Sequence, residues 1–286
     1  MTGPGGETPA LRVASFNIRN GIAWDGLDSW PLRRGATAAA VAGLDADLLG
    51  LQEVYGFQQR YLLRRLPDYA ATGAGRTDGR RRGERCAVLY RTERLRLDQA
   101  ITRWFSDTPD LPGSTGWGNR LPRIVTLARF TDLAVGRPFG FADCHLEGSP
   151  AAARHRSAAA LAGWLDPSLP WIVAGDLNAE PHDLAVRTLL DAGLRDVVAR
   201  AAAAPSDQAS VTTVGEPRTG AAGRRIDYLL VTGEWQVVAA AVPAAGRHRR
   251  RPSDHLPVLA TVRLRGGAAL PTLGQTTTSD PLEEQR

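Results

Sequence analysis

The feature that most limits how this chain can fold is a set of eight short apolar, β-prone runs spread between residues 11 and 264. They read LRVASFNI (11–18), DLLGLQEV (47–54), CAVLYR (86–91), RIVTLARF (123–130), FGFADCHL (139–146), WIVAGDLN (171–178), RIDYLLV (225–231) and PVLATVRL (257–264). Several are apolar without alternation, as strands covered on both faces are. Helical periodicity lies between some of them: residues 33–44 after Pro31, 56–66 with Phe57, Tyr61, Leu62 and Leu66 on one face, 150–165, and 182–192. Strands outnumber helices and no linker divides the core. The pattern predicts one mixed α/β domain over residues 10–265, with sheets packed face to face and helices outside. Residues 1–9 and 266–286 read as disordered tails, and 106–120 and 199–224 as long loops.

Bulk properties exclude some function classes. No run of 18 apolar residues is present, so no membrane-spanning helix is expected. The N-terminal segment lacks a basic and apolar leader, and two cysteines are too few for a disulfide framework, so the cytoplasm is the expected compartment. The formal charge is +5, yet the chain contains no lysine and its basic residues are all arginine. Beside so much alanine and glycine, that uniformity reads as compositional bias and not as a sign of nucleic-acid binding. Local clusters say more: Arg80–Arg82 and Arg247–Arg251 either face an anion or form a solvated surface.

Chemistry-bearing residues gather at the ends of the apolar runs. Asn17 follows VASF, Glu53 follows LLGLQ, His145 follows FGFADC, and Asp176 and Asn178 follow WIVAG. Asp227 lies inside RIDYLLV, and Asp254 and His255 precede PVLATV. One carboxylate at a strand end is usually a turn or cap residue. Six such places on successive strands can instead converge on one pocket. Hard oxygen ligands of this kind suit magnesium or manganese, and the shortage of Cys and His argues against structural zinc. Such an ion polarises a phosphoryl oxygen, and a histidine held by a carboxylate donates to it or takes a proton. There is no GxSxG elbow, HExxH helix, Walker A loop or GxGxxG turn.

The stretches SFNIRNG (15–21), LQEV (51–54), GERCAVLYR (83–91), CHLEG (144–148), GDLNAEP (175–181), RIDYLLV (225–231) and PSDHLPV (252–258) occur in that order. Together they resemble the endonuclease/exonuclease/phosphatase superfamily of deoxyribonuclease-like phosphoesterases, over about residues 11 to 265. The segments GRTDGRRRGERCAVLYR and RWFSDTPDLPGSTGWGNRLPRIVTLARF resemble a subgroup of small bacterial members. The resemblance implies a four-layer α/β sandwich with two facing mixed sheets, outer helices and a site at one end. It implies Glu53 as the principal metal ligand with Asn17 beside it and Asp254 near the ion. Asp176 is then the group that orients or deprotonates water, and Asn178 the one that holds a phosphate oxygen. His145 and His255 are implied to contact the scissile phosphate, paired with Glu84 and Asp227 respectively, each pairing favouring the imidazolium. Glu84 has an alternative partner in Arg80–Arg82 or Arg85, Asp227 could anchor the 199–224 loop, and Arg123 either faces the site or buttresses it.

One departure concerns the residues before His145, where the superfamily commonly has Asn-Thr and this chain has Asp143-Cys144. Alternation turns Asp143 to the opposite side of its strand from Cys144 and is expected to aim it away from the phosphate. The combined expectation is a monomeric, magnesium-dependent hydrolase of a small phosphorylated metabolite, with manganese as the other candidate ion. The alternatives are a nuclease acting on DNA or RNA and a non-catalytic phosphate-ligand binder. An elimination or rearrangement on the same scaffold also stays open.

Overall fold

The computed structural model describes residues 8–201, 224–243 and 250–265. In chain order the elements are β1 (Leu11–Asn17), α1 (Trp30–Gly43), β2 (Leu48–Val54), α2 (Gly56–Leu63), β3 (Tyr69–Thr72), β4 (Arg85–Arg91), β5 (Leu95–Trp104), β6 (Ile124–Asp132) and β7 (Arg137–His145). They continue as α3 (Ala151–Trp164), β8 (Trp171–Asp176), α4 (Leu184–Asp191), β9 (Arg195–Asp196), α5 (Val197–Ala201), β10 (Asp227–Val231), β11 (Trp235–Ala241) and β12 (Val258–Leu264).

The strands form two six-stranded sheets, ordered β11-β12-β1-β2-β4-β3 and β5-β6-β7-β8-β10-β9. Both sheets are mixed. β1 and β2 run parallel across α1, β7 and β8 run parallel across α3, and the other pairs are antiparallel. Each parallel pair needs a crossover, which each of these helices supplies.

Side-chain alternation sorts the residues into layers. Val13, Leu48, Val88 and Val262 of the first sheet meet Phe130, Phe139, Phe141, Ile172 and Leu229 of the second in a core between the sheets. The opposite faces, through Phe16, Leu49 and Leu51, pack on Val41 of α1 and Leu62 of α2. On the far side Cys144, Val173 and Leu230 pack on Leu161 of α3 and Val186 and Leu189 of α4. This is the four-layer sandwich with two facing sheets that the sequence implied.

All eight apolar runs are strands. The four strands they missed, β3, β5, β9 and β11, are the four edges of the two sheets. α1 starts at Trp30, earlier than residue 33, because Pro31 fits the first turn. α4 starts at Leu184, where the Asp183 carboxylate caps it by accepting from the Ala185 N–H. Residues 197–201 form α5 where a loop from 199 was expected; the rest of that segment to 223, most of both expected tails, and Arg247–Arg249 lie outside the described residues. No described helix is long and apolar enough to cross a membrane.

Candidate active site

Strand register sets the first row of groups. His145 at the end of β7 lies beside Asp176 at the end of β8, and Asp227 at the start of β10 pairs with Asp176 on its other side. In the first sheet Asn17 ends β1 beside Gln52 of β2. The register between β2 and β4 breaks between Leu51 and Val54, and within that bulge Glu53 has a left-handed φ of 62°. A bulge re-aims a side chain, and strain of this kind gathers at functional sites.

The two sheets meet through one amide. Asn17 Nδ2 donates to Glu53 Oε1 at 3.1 Å and to Asp176 Oδ2 at 3.0 Å. Asn20 holds the other Glu53 oxygen, through its backbone N–H at 2.8 Å and its side-chain amide at 3.2 Å. Ser253 accepts from the His255 N–H at 3.2 Å and donates to the Asn17 carbonyl at 2.7 Å, which seats the segment before β12 on the end of β1.

Asp176 is the meeting point. Its Oδ2 lies 3.5 Å from His145 Nε2 and 3.8 Å from His255 Nε2. Its Oδ1 accepts from the Asn178 N–H at 2.9 Å, and Asn178 has a left-handed φ of 49° that turns the chain back over the strand end. Asn178 Nδ2 lies 3.1 Å from His145 Nε2 and donates to the Leu146 carbonyl at 3.0 Å. Burial, reinforced by Asp227, raises the Asp176 carboxyl to about 7.

The two histidines are in opposite electrostatic situations. Burial opposes the charge on His255, but the Asp227 carboxylate, 2.9 Å from Nδ1, and then Asp176 hold its pKa up to about 10. His255 is therefore an imidazolium at neutral pH. Burial drives His145 well below the usual imidazole range, and Arg123, His255 and Arg76 push the same way. A neutral His145 whose Nε2 accepts from Asn178 fits that geometry, so the expected imidazolium is found at His255 and not at His145.

The carboxylate expected to pair with His145 has another partner. Glu84 forms an ion pair with Arg76 at 2.7 Å, neither the histidine nor any of Arg80–Arg82 or Arg85. Burial raises the Glu84 carboxyl against the pull of Arg76. Both line a narrow slot with Glu53, Arg123 and His145. Arg123 is gripped by Glu147, 3.2 Å from Nη2, so it faces the slot and is buttressed at once. Burial pushes Glu147 up, but Arg123 and the N–H groups of Arg120 and Gly148 outweigh it and hold the carboxyl below its ordinary range. Asp254 pairs with Arg19 at 3.7 Å and lines a separate cavity beside the site.

Asp143 corrects an expectation. It shares the inward face of β7 with His145 and is fully buried between the sheets. Gln52 Nε2 donates to its Oδ1 at 2.6 Å, and Gly50 makes room for it: a Cβ there would come within 2.7 Å of the same oxygen. Asp143 does lie opposite Cys144, which faces the outer core, but that opposite face is the one turned toward the site. The inward direction of Asp143 follows from the same rule counted from His145. Arg76, Glu147, Asn20 and Arg33 were also missed. The motif CHLEG contained Glu147, but nothing local marks Arg33, a buried guanidinium that donates to the carbonyls of Ile18, Arg19 and Pro252 at 2.8, 2.7 and 2.8 Å.

A model of the Endonuclease/Exonuclease/phosphatase family matches residues 14–255, a span that contains every residue of this site. The chain belongs to the endonuclease/exonuclease/phosphatase family. Members of this family are metal-dependent phosphoesterases. A Bacteroides thetaiotaomicron family member superposes with a TM-score of 0.81 at 29% identity, covering 90% of this chain and 95% of that one. A mannosyl-6-phosphatase from Bacteroides thetaiotaomicron superposes with a TM-score of 0.81 at 30% identity, covering 88% of this chain and 99% of the other. Human nocturnin, at 21% identity and a TM-score of 0.69, shares the fold. An uncharacterised protein of Acanthamoeba polyphaga mimivirus is 25% identical over 146 residues, and the match spans about half of its length, 54%.

The endonuclease/exonuclease/phosphatase family implies a divalent ion, and the donors present fit one. Asp176, Asp227 and His255 each offer an atom within 4.8 Å of the others, and the Asn17 amide links Asp176 to the Glu53 carboxylate. The set is hard oxygen plus imidazole, which suits magnesium or manganese. Since His255 Nδ1 is engaged by Asp227 and its imidazolium has no free lone pair, the Glu53 carboxylate is the better ligand, with Asp176 beside it.

Proposed function

We propose that this chain is a metal-dependent hydrolase of phosphate esters, with a small phosphorylated metabolite as substrate. Asp176 carries the reading. It is a buried carboxylate at the junction of both sheets, touching two histidines and two asparagines. A divalent ion on Glu53, with Asn17 and Asp176 at its side and Asp254 nearby, supplies charge neutralisation at the phosphoryl oxygens when bound. Magnesium is the proposed ion and manganese the alternative.

The chain's own groups handle the proton and the phosphate. A carboxyl held near neutrality is suited to take a proton, so Asp176 orients water and accepts its proton as the oxygen attacks phosphorus. The bond to the ester oxygen breaks on the opposite side, the leaving alkoxide takes a proton from solvent water to become the alcohol, and Asp176 returns its proton to solvent. His255, charged and fixed by Asp227, donates from Nε2 to a phosphoryl oxygen. When phosphate enters, the Asn178 side-chain N–H that meets His145 Nε2 turns to a second phosphoryl oxygen, His145 donates beside it as its Nε2–H tautomer, and Arg123 holds the wall next to them. Glu84 keeps Arg76 in that wall.

The likeness to a mannosyl-6-phosphatase across nearly the whole chain supports a small substrate. Both cysteines are free and buried, which suits the cytoplasm, and a monomer is part of the same reading. The test is an activity screen of the purified chain on sugar phosphates, nucleotides, nucleic acids and phospholipid head groups, with EDTA and added magnesium. EDTA-reversible release of phosphate from a small ester is expected. A metal-independent activity, or none on any ester, would sink the proposal, and steeply salt-dependent cleavage of DNA or RNA would replace it with a nuclease.

A further inference from the structure

A second cavity adjoins the site on the side of Asn17 and Ser253, and the proposed chemistry does not use it. It encloses about 450 Å³ between residues 19–28 and 251–254. That lies within the range of roughly 300–1,000 Å³ typical of small-molecule pockets. Its walls include Arg19, Trp24, Asp25, Arg33 and Asp254. The two sites share structure. The Arg19 N–H donates to Asn17 Oδ1 at 2.9 Å, and Asn17 in turn holds Glu53 and Asp176.

The wall is built, not merely collapsed around space. Arg19 is clamped by Asp25 through two hydrogen bonds at 3.2 and 3.0 Å. Asn20 accepts from the Ala23 N–H at 2.8 Å, and Arg33 binds the carbonyls of Ile18, Arg19 and Pro252 from beneath. Arg250 donates to the Leu27 carbonyl at 2.8 Å, fixing the rim to the segment before Ser253. On this fixed loop Trp24 stands 90% exposed, flanked by Ile22 and Leu27 at 66% and 69%. A large indole held open at the mouth of a cavity has the geometry of a stacking surface for a ligand.

The charges name the ligand. The lining carries three arginines, Arg19, Arg33 and Arg251, against three aspartates, Asp25, Asp28 and Asp254, so the cavity lacks the excess of positive charge that a second phosphate or a nucleic-acid strand requires. Paired guanidinium and carboxylate groups instead offer donors and acceptors to hydroxyl groups. An aromatic face beside such groups fits the apolar C–H face of a sugar ring. We propose that this cavity is the leaving-group subsite, and that it takes a neutral, hydroxyl-rich sugar ring, with Trp24 stacked on it and Asp25 and Asp254 accepting from its hydroxyls. This inference rests on the phosphoesterase reading and narrows its substrate to a sugar phosphate.

The test uses the full chain with magnesium and compares hexose 6-phosphates with propyl phosphate and 5′-nucleoside monophosphates. Trp24 is so exposed that Trp24→Ala removes no packing. The expected result is a loss of tenfold or more in the preference of kcat/KM for hexose 6-phosphate over propyl phosphate, carried mainly by KM. A second readout is independent of turnover: hexose 6-phosphate titrated into the metal-free chain should change tryptophan fluorescence, and Trp24→Phe should abolish that change. A preference that stays within twofold in Trp24→Ala, or a Trp24-dependent loss confined to nucleotides, overturns the subsite. Failure of the wild-type chain to hydrolyse any of these esters counts instead against the phosphoesterase reading.

Discussion

His255 Nδ1 sits 2.9 Å from Oδ2 of Asp227, a carboxylate with no solvent exposure, and this contact keeps an imidazolium at the centre of a buried site. The folded pKa, about 10, lies above the ordinary value of 6.5. Between those values the folded state binds more protons than the unfolded one, so the pair's stabilisation is complete below pH 6.5 and fades as pH rises through 10. Asp227→Asn should therefore lower the thermal midpoint most near pH 6, with the difference from wild type shrinking as pH rises toward 10. Melting curves across that range check it; a gap that widens with pH refutes the pairing.

Asp176 and His255 are proposed to act directly on water and phosphate. Asp176→Ala or His255→Ala should each reduce turnover by roughly 10²–10⁴-fold, the range of positioned acid–base groups, while circular dichroism stays near wild type. Steady-state kinetics on whichever ester the screen identifies decide it. Full activity in either variant would remove that residue from the mechanism.

Asn20 holds a Glu53 oxygen through its side chain and backbone, and so acts on the proposed ion through Glu53. Loss of such an orienting contact costs about 10–100-fold in metal affinity. Asn20→Ala should weaken magnesium or manganese binding by that factor in calorimetric titrations, and Glu53→Gln should weaken it further. Unchanged affinity in Glu53→Gln would move the ion elsewhere.

Asp143 is a buried carboxyl raised well above its ordinary range by desolvation, against hydrogen bonds from Gln52 and the Leu51 backbone. Its folded pKa exceeds the unfolded one, so the residue costs stability once pH climbs above the ordinary carboxylate range. Asp143→Asn keeps the shape and an acceptor for Gln52. It should raise the urea midpoint at pH 7 and leave it nearly unchanged near pH 3. A lower midpoint at pH 7 would show that the charge itself is needed.

Arg33 ties the loop after β1 to the segment before β12 through three buried carbonyl contacts. Arg33→Ala takes its donor from the Ile18 carbonyl, while the Arg19 and Pro252 carbonyls keep Gln58 Nε2 at 3.0 Å and Thr37 Oγ1 at 2.6 Å; a buried acceptor left unpaired costs about 1–3 kcal/mol. The expected loss, measured by denaturant unfolding, is about 1–3 kcal/mol, with Arg33→Lys recovering only part of it because an ammonium cannot span three carbonyls.

The interior strands were legible because each is covered on both faces, and such coverage writes an unbroken apolar run into the chain. β5 and β11 escaped because a sheet edge exposes much of its surface; Gln99, Ala100 and Ile101 are exposed in β5, and Gln236 and Val238 in β11. The residues at strand ends were legible for a related reason, since a polar group closing an apolar run stands out from its neighbours. Glu84 shows the limit. Its place in GERC is visible in the sequence, but its partner Arg76 lies across a turn whose shape depends on packing against Trp104, which donates to the Arg76 carbonyl at 2.6 Å.

Facing sheets, the helices that cover them and the set of acidic, amide and imidazole groups at the strand ends were readable along the chain, because these follow from local alternation and periodicity. Only the tertiary structure decided which group faces which. Asn17 bridges carboxylates from two sheets, His255 is charged while His145 is neutral, and Asp143 points inward beneath them. Proton affinity and hydrogen bonding depend on distance and burial between residues far apart in the chain, and those quantities come into being only when the two sheets close on one another.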